Sequence, residues 1–211
     1  QTGNGNAATV TQAITGNNSS DIFAQVDQAD GATATVNQTI TSDDAVNMDA
    51  LVTQTGANNT EVTQRFDRVG SNTFLATVNQ SGDSNRTTVD QADDGGNVGD
   101  NGVNALVNQS GDNNTVDLVQ RNRNQDMDVL QSGTENSVLA FQNGVNNELN
   151  VDQSGEFNII NSTQNGGGTG NLTQTGVDNT IDLLQNAESN VLATVDQAGA
   201  TNDAEINQIN N

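Results

Sequence analysis

Glutamine recurs along this chain at intervals that a repeating backbone explains and a random one does not. The opening stretch QTGNGNAATVTQ, Gln1 to Gln12, reads Q-x-G-x-G-N-x-A-x-x-x-Q, and most of the remaining sequence is a looser copy of it. Aligned on their last residue, the copies are anchored at Gln1, Gln12, Gln28, Gln38, Gln54, Gln64, Gln80, Gln91, Gln109, Gln120, Gln131, Gln142, Gln153, Gln164, Gln174, Gln185, Gln197 and Gln208. Most intervals are 10 or 11 residues; three are 16, one is 18 and one is 12. A fixed period of this kind is the signature of a stacked repeat architecture.

The residues before each anchor say what is stacked. Side chains alternate faces along a strand, so offsets minus two, minus four and minus six share the face of the glutamine. Offset minus two is apolar in every copy except at Ser162. Offset minus four is Ala in many copies and Val116, Met127, Val138, Leu149, Ile160 and Ile181 in later ones. Offset minus six is Asn at Asn6, Asn58, Asn85, Asn114, Asn136, Asn147, Asn158, Asn179 and Asn202. Gly commonly follows two residues after the anchor, as at Gly56, Gly82, Gly111 and Gly133, and marks a turn. A strand this short cannot bury its apolar face alone, whereas stacked copies share one continuous core. The pattern therefore predicts an all-β fold: a β-solenoid with two short strands per coil and about 8–9 coils, stacked in register as cross-β. Each carboxamide in such a stack donates to one neighbour and accepts from the other, so a buried amide is tolerated.

Composition points elsewhere, and the period overrules it. Only 31% of the 211 residues are hydrophobic, 2% are aromatic, and the net charge is -22. That profile alone predicts disorder. With no Cys there is neither a disulfide nor a thiolate metal site. There is no Pro, which suits strands whose N–H groups must all pair. His and Lys are also absent, and the basic residues are Arg65, Arg68, Arg86, Arg121 and Arg123. A chain this acidic repels phosphate, so nucleic acid is not an expected partner. No apolar run approaches the length of a membrane span. No cofactor is expected. An enzyme acting on an anionic polysaccharide would need cations to hold its substrate, and a repetitive chain offers no unique catalytic constellation.

The coils divide in length, within what reads as a single β-solenoid domain over 1–211. Residues 1–120 carry longer coils of 26–29 residues, with extended turns predicted on one edge, and 120–211 carry compact coils of 21–23 residues. The long turns contain Asp21, Asp43, Asp44, Asp49, Asp67, Asp93, Asp94 and Asp100. They read as solvated loops, or more sharply as a weak divalent-cation edge. Gly166 to Gly170 reads as a turn within a weak copy. Val119, Leu130, Phe141 and Leu184 are outward-facing, either as scattered exposed apolars or as a contact stripe. Neither end carries a polar capping repeat, so Gln1, Asn6 and Gln12 at one end and Gln197, Asn202 and Gln208 at the other are the expected polymer contacts, joined head to tail.

These features resemble the curlin repeat family, the subunits of bacterial curli amyloid fibres. The family repeat contains the unit Q-x-G-x-G-N-x-A-x-x-x-Q that Gln1 to Gln12 fits residue for residue, and QTGANNTEVTQ and QSGDNNTVDLVQ are weaker forms of it. The resemblance implies a self-assembling, non-enzymatic subunit of an extracellular functional amyloid fibre on the bacterial cell surface, part of a biofilm matrix and involved in adhesion and cell aggregation. It implies a dedicated outer-membrane secretion pore and a nucleator as partners besides the chain itself. The alternatives are a monomeric β-solenoid adhesin and a nucleator-type minor subunit.

Overall fold

The computed structural model describes residues 1–16, 21–41, 46–67, 72–93 and 101–209. In chain order the strands are β1 (Ala7–Ile14), β2 (Asp21–Ala29), β3 (Thr33–Ile40), β4 (Val46–Thr55), β5 (Asn59–Phe66), β6 (Asn72–Ser81), β7 (Arg86–Asp93), β8 (Asn101–Asp112), β9 (Thr115–Thr134), β10 (Ser137–Glu156), β11 (Ile159–Val177), β12 (Thr180–Ala200) and β13 (Asp203–Ile209). All the strand pairings are parallel, and they form two walls. Wall one stacks β1, β3, β5, β7, the first halves of β9 to β12, and β13. Wall two stacks β2, β4, β6, β8 and the second halves of β9 to β12. The chain is thus an all-β solenoid with two strands per coil. β9, β10 and β11 turn the corner between walls through left-handed backbone at Asn122, Gly144 and Gly166.

The register follows the glutamines. Gln38 lies opposite Gln12 and Gln64 in wall one, and Gln54 lies opposite Gln28 and Gln80 in wall two. With the anchors aligned, the inward apolar residues stack into columns, and Val36, Val62, Val78, Val107 and Leu118 are 0% exposed. The corner after wall two is closed by a column of glycines with φ between 90 and 120°, running from Gly56 to Gly199. A Cβ on Gly133 would sit 2.0 Å from the carbonyl oxygen of Gly155, so rungs one coil apart meet at this corner only without side chains.

Beside the shared core lies a second one. Ile40, Val46, Met48, Phe66, Phe74 and Val103 are all buried, and Ile22 packs against them. They occupy the inward position two residues after wall-one anchors and the region six residues before wall-two anchors, at the edge where β1, β3, β5 and β7 lead into β2, β4, β6 and β8. Phe66 and Phe74 meet edge to face, with ring centroids 6.0 Å apart. The long connections at this edge, including Asp43, Asp44, Asp94 and Asp100, lie largely outside the described residues.

Two features differ from the sequence reading. Val119, Phe141 and Leu184 share a column of wall one with Thr163 between the last two, but Leu130 is on wall two beside Asn108 and Asp152. Successive copies alternate walls, so no three consecutive copies form one stripe. Gly168 and Gly170 are not in a turn: they pair within β11 to Val191 and Ala193. The space above Gly170 is taken by Leu183 and Leu149, whose methyl carbons would lie 2.9 and 3.0 Å from an added Cβ.

Candidate functional site

The repeated carboxamides form three columns. In wall two, each Nε2 donates to the Oε1 of the anchor one coil later, from Gln1 through Gln28, Gln54, Gln80, Gln109, Gln131, Gln153 and Gln174 to Gln197, at 2.7–3.0 Å. In wall one the same chain of bonds runs from Gln12 through Gln38, Gln64, Gln91, Gln120, Gln142, Gln164 and Gln185 to Gln208, at 2.7–3.3 Å. The second proton of many of these amides goes across the core to a carbonyl of the other wall, as from Gln131 to Thr115 at 3.2 Å and from Gln142 to Asp126 at 3.1 Å. That bond fixes which end of the amide is nitrogen and ties the walls together. Thr60 and Thr87 add hydroxyls to the wall-two column. Thr60 accepts from Gln54 at 3.1 Å and donates to Gln80 at 2.7 Å, and Thr87 does the same between Gln80 and Gln109. The sequence reading did not single out these threonines, although their offset of minus four places them inward.

The asparagine column runs the other way. Asn114 donates from Nδ2 to Oδ1 of Asn85 at 3.1 Å, Asn136 to Asn114 at 3.2 Å, Asn158 to Asn136 at 3.0 Å, Asn179 to Asn158 at 2.9 Å and Asn202 to Asn179 at 2.8 Å. The backbone N–H of each later asparagine also donates to the earlier Oδ1, from Asn85 onto Asn58 at 3.0 Å up to Asn202 onto Asn179 at 3.1 Å. Asn6 accepts from the amides of Gly31 and Ala32 at 2.8 and 3.0 Å, and Ala32 interrupts the column between Asn6 and Asn58. Asn147 lies outside this column. It starts the wall-two half of β10, pairs with Gln125, and donates to the carbonyl of Asn143 at 3.0 Å.

The two ends of the stack differ from its middle. Val10 is 45% exposed, while Val36 and Val62 in its column are 0% exposed. At the other end β13 alternates between exposed and partly buried residues. The polarity of the columns gives each end its own chemistry. Gln1 and Gln12 turn carboxamide oxygens to the first face. Gln197 and Gln208 turn amide nitrogens to the last face, where Asn202 turns its oxygen.

The outer surface offers less. Asp126 and Asp128 both titrate above the ordinary carboxylate range. For Asp126 the cause is desolvation first and then the charges of Asp128 and Glu148; for Asp128 it is desolvation and then Glu148. Arg86 pairs with Asp117 at 2.8 Å, and Arg121 pairs with Asp90. Among the described residues, no group of three or more acidic side chains is placed to hold a metal ion, and no helix is long and apolar enough to cross a membrane. Among the described residues, two buried polar atoms have no hydrogen-bond partner, Oγ of Ser162 and Oε1 of Gln125.

No curated protein and no solved structure shows significant similarity to the chain. The curlin associated repeat matches it twice, over residues 124–155 and 176–209. Both matches fall on the compact coils, where two strands, the glycine corner and all three amide columns repeat most regularly. Fold, repeat unit and match agree, and the chain carries curlin associated repeats over residues 124–155 and 176–209.

Proposed function

We propose that the chain is a self-assembling structural subunit of an extracellular, curli-like functional amyloid fibre of bacterial biofilm matrix, serving adhesion and cell aggregation. The observation that carries this reading is the polarity of the amide columns, which gives the first and last rungs complementary chemistry. Stacking the last face of one copy under the first face of the next lets Gln208 donate to Gln12, Gln197 donate to Gln1, and Asn6 donate to Asn202. The same contact covers Val10. First face against first face would set carboxamide oxygen against oxygen, so head-to-tail growth is favoured and the fibre has one direction. Each subunit adds about eight and a half coils, or roughly 40 Å at a strand spacing of about 4.8 Å. A secretion pore and a nucleator of the curli type are the partners this role requires. The role needs no catalytic residue.

The test is seeded elongation from denaturant, followed by amyloid-dye binding, with fibre diffraction for the cross-strand repeat of about 4.8 Å. Gln12→Ala and Gln208→Ala slow elongation more than Gln109→Ala, because only the end amides meet their partners across a junction. Equal slowing by central and terminal changes refutes the end contact. A folded chain that stays monodisperse supports the adhesin instead.

A further inference from the structure

The two walls turn different outer faces to solvent. Wall one carries Arg65, Arg86 and Arg121 and, in the compact coils, the apolar Val119, Leu139 and Phe141. Among the described residues, the outer face of wall two holds no basic side chain, but it holds Asp49, Asp126, Asp128, Glu148 and Asp152. A furrow of about 280 Å³ runs up this face, between Leu106, Asp128 and Asn150 on one side and Asn108, Leu130 and Asp152 on the other. The walls also keep a fixed offset. Phe66, two residues after its anchor, meets Phe74, six before its own. Gln120 donates at 2.8 Å to the carbonyl of Asn104, which lies five before Gln109. Counted from these contacts, the outward columns one after, one before and three before the wall-one anchors stand back to back with those five, three and one before the wall-two anchors. A second copy moved sideways without rotation sets its wall one on the first copy's wall two with the same columns matched.

We propose that a second copy of this chain docks in this way, wall one against wall two, staggered by one rung. That stagger brings Val119 over Leu106, and Leu139, 53% exposed, over Leu130, 47% exposed. Arg65 comes over Asp49. The other acids meet neutral side chains: Asp126 faces Asn143, Glu148 faces Asn165, Asp152 faces Asn161, and Asp117 faces Asn108. Within these columns the one like-charge pair is Glu205 with Asp196, near one end. Wall two against wall two would set acid on acid. The matched faces are about 20 Å wide and about 40 Å tall, or about 800 Å² per partner, the size of a standard stable interface. At about 0.15 M salt, charges more than about 8 Å apart are largely screened, so the net charge of -22 does not forbid the contact. The contact leaves both end rungs uncovered and does not depend on head-to-tail growth. A sideways translation does not close on itself, so it builds layers of solenoids side by side.

The chain has no cysteine, so single thiols can report the contact. Folded, non-assembled Val119→Cys chain is mixed with Leu106→Cys chain and treated with a short bismaleimide. The pair cross-links about fivefold more than Leu184→Cys with Leu106→Cys, because Leu184 would sit three rungs, about 14 Å, from Leu106. Arg65→Glu lowers the yield of the first pair about threefold, and adding Asp49→Arg to the same chains restores it. Equal yields for the two pairs overturn the proposal, as does a Val119→Cys chain that links to itself more than to Leu106→Cys, or a yield that Arg65→Glu leaves unchanged.

Discussion

Replacing a central ladder glutamine unfolds the solenoid far more readily than replacing a terminal one. Gln131 is 0% exposed. It accepts from Gln109 at 2.8 Å, donates to Gln153 at 2.7 Å and donates across the core to the Thr115 carbonyl at 3.2 Å. Gln131→Ala removes the partner of all three groups at once. A buried polar group left unpaired costs about 1–3 kcal/mol, so the loss is about 3 kcal/mol even at the low end. Gln208 lies on the end rung, where water can reach the groups it leaves behind, and Gln208→Ala costs about 1 kcal/mol. Urea unfolding of the non-assembled chain, followed by circular dichroism in the β-sheet band, separates the two. With a denaturant slope of about 3 kcal/mol per molar, the Gln131→Ala midpoint falls by about 1 M and the Gln208→Ala midpoint by about a third of that. If the midpoints shift equally, the ladder does not bear on the stability of the fold and the buried amides are only tolerated. The ranking is the reverse of that for fibre elongation, so the pair of assays distinguishes the two roles of one residue type.

Ser162→Ala raises stability by about 1 kcal/mol or more, because the buried hydroxyl it deletes has no partner; thermal melting measures the gain. Gly133→Ala prevents native stacking at the corner, since its Cβ would fall 2.0 Å from the Gly155 carbonyl oxygen and its φ of 103° is closed to L-residues; the variant shows a lost or strongly weakened unfolding transition. Asp126 and Asp128 have folded-state pKa values raised above 3.8, so the folded state binds protons that the unfolded state does not. Stability therefore falls as pH rises from near 3.8 through the raised values. Asp126→Asn reduces that dependence and stabilises the chain at neutral pH, as denaturation at a series of pH values shows.

The two-wall architecture was legible because inward residues keep one parity relative to each glutamine and the glutamines never lose it. Residues that obey the parity but lie beyond the repeat unit are harder to see. Ile14, Ile40 and Phe66 stand two positions after alternate anchors, where Gly is usual, and Ile22, Met48, Phe74 and Val103 stand six before the others, where Asn is usual. Both sets point inward by the same rule as the valines, so the second core was present in the pattern. Leu130 reads as one stripe with Val119 and Phe141 only if neighbours in sequence are neighbours in space, whereas the coil separates them onto opposite walls. Asn147 carries the offset of the column asparagines but sits at the other corner for the same reason. The direction of each hydrogen-bond column is set by which backbone carbonyls face the amides, and nothing in a spacing reveals that.

The change in coil length and the change in residue size at offset minus four have one physical cause. In the wide coils that position is small on both walls: Ala34, Thr60 and Thr87 face the side that holds Ala50, Ala76 and Ala105. A core of Ala and Val alone buries little area per coil. Ile40, Met48, Phe66 and Phe74, all 0% exposed, make up the deficit at the long-turn edge, and burying each side chain of that size stabilises by about 1.5–3 kcal/mol. At β9 the arrangement changes on both counts. Val116 and Met127 enter the shared core, while Gln125 lies over Val103 and Asp93 over Phe66, so the second core ends. From there on Val138, Leu149, Ile160 and Ile181 fill the single core, and the edge no longer needs room for a second. A coil can shorten only where its central residues are large enough to replace what the edge had buried.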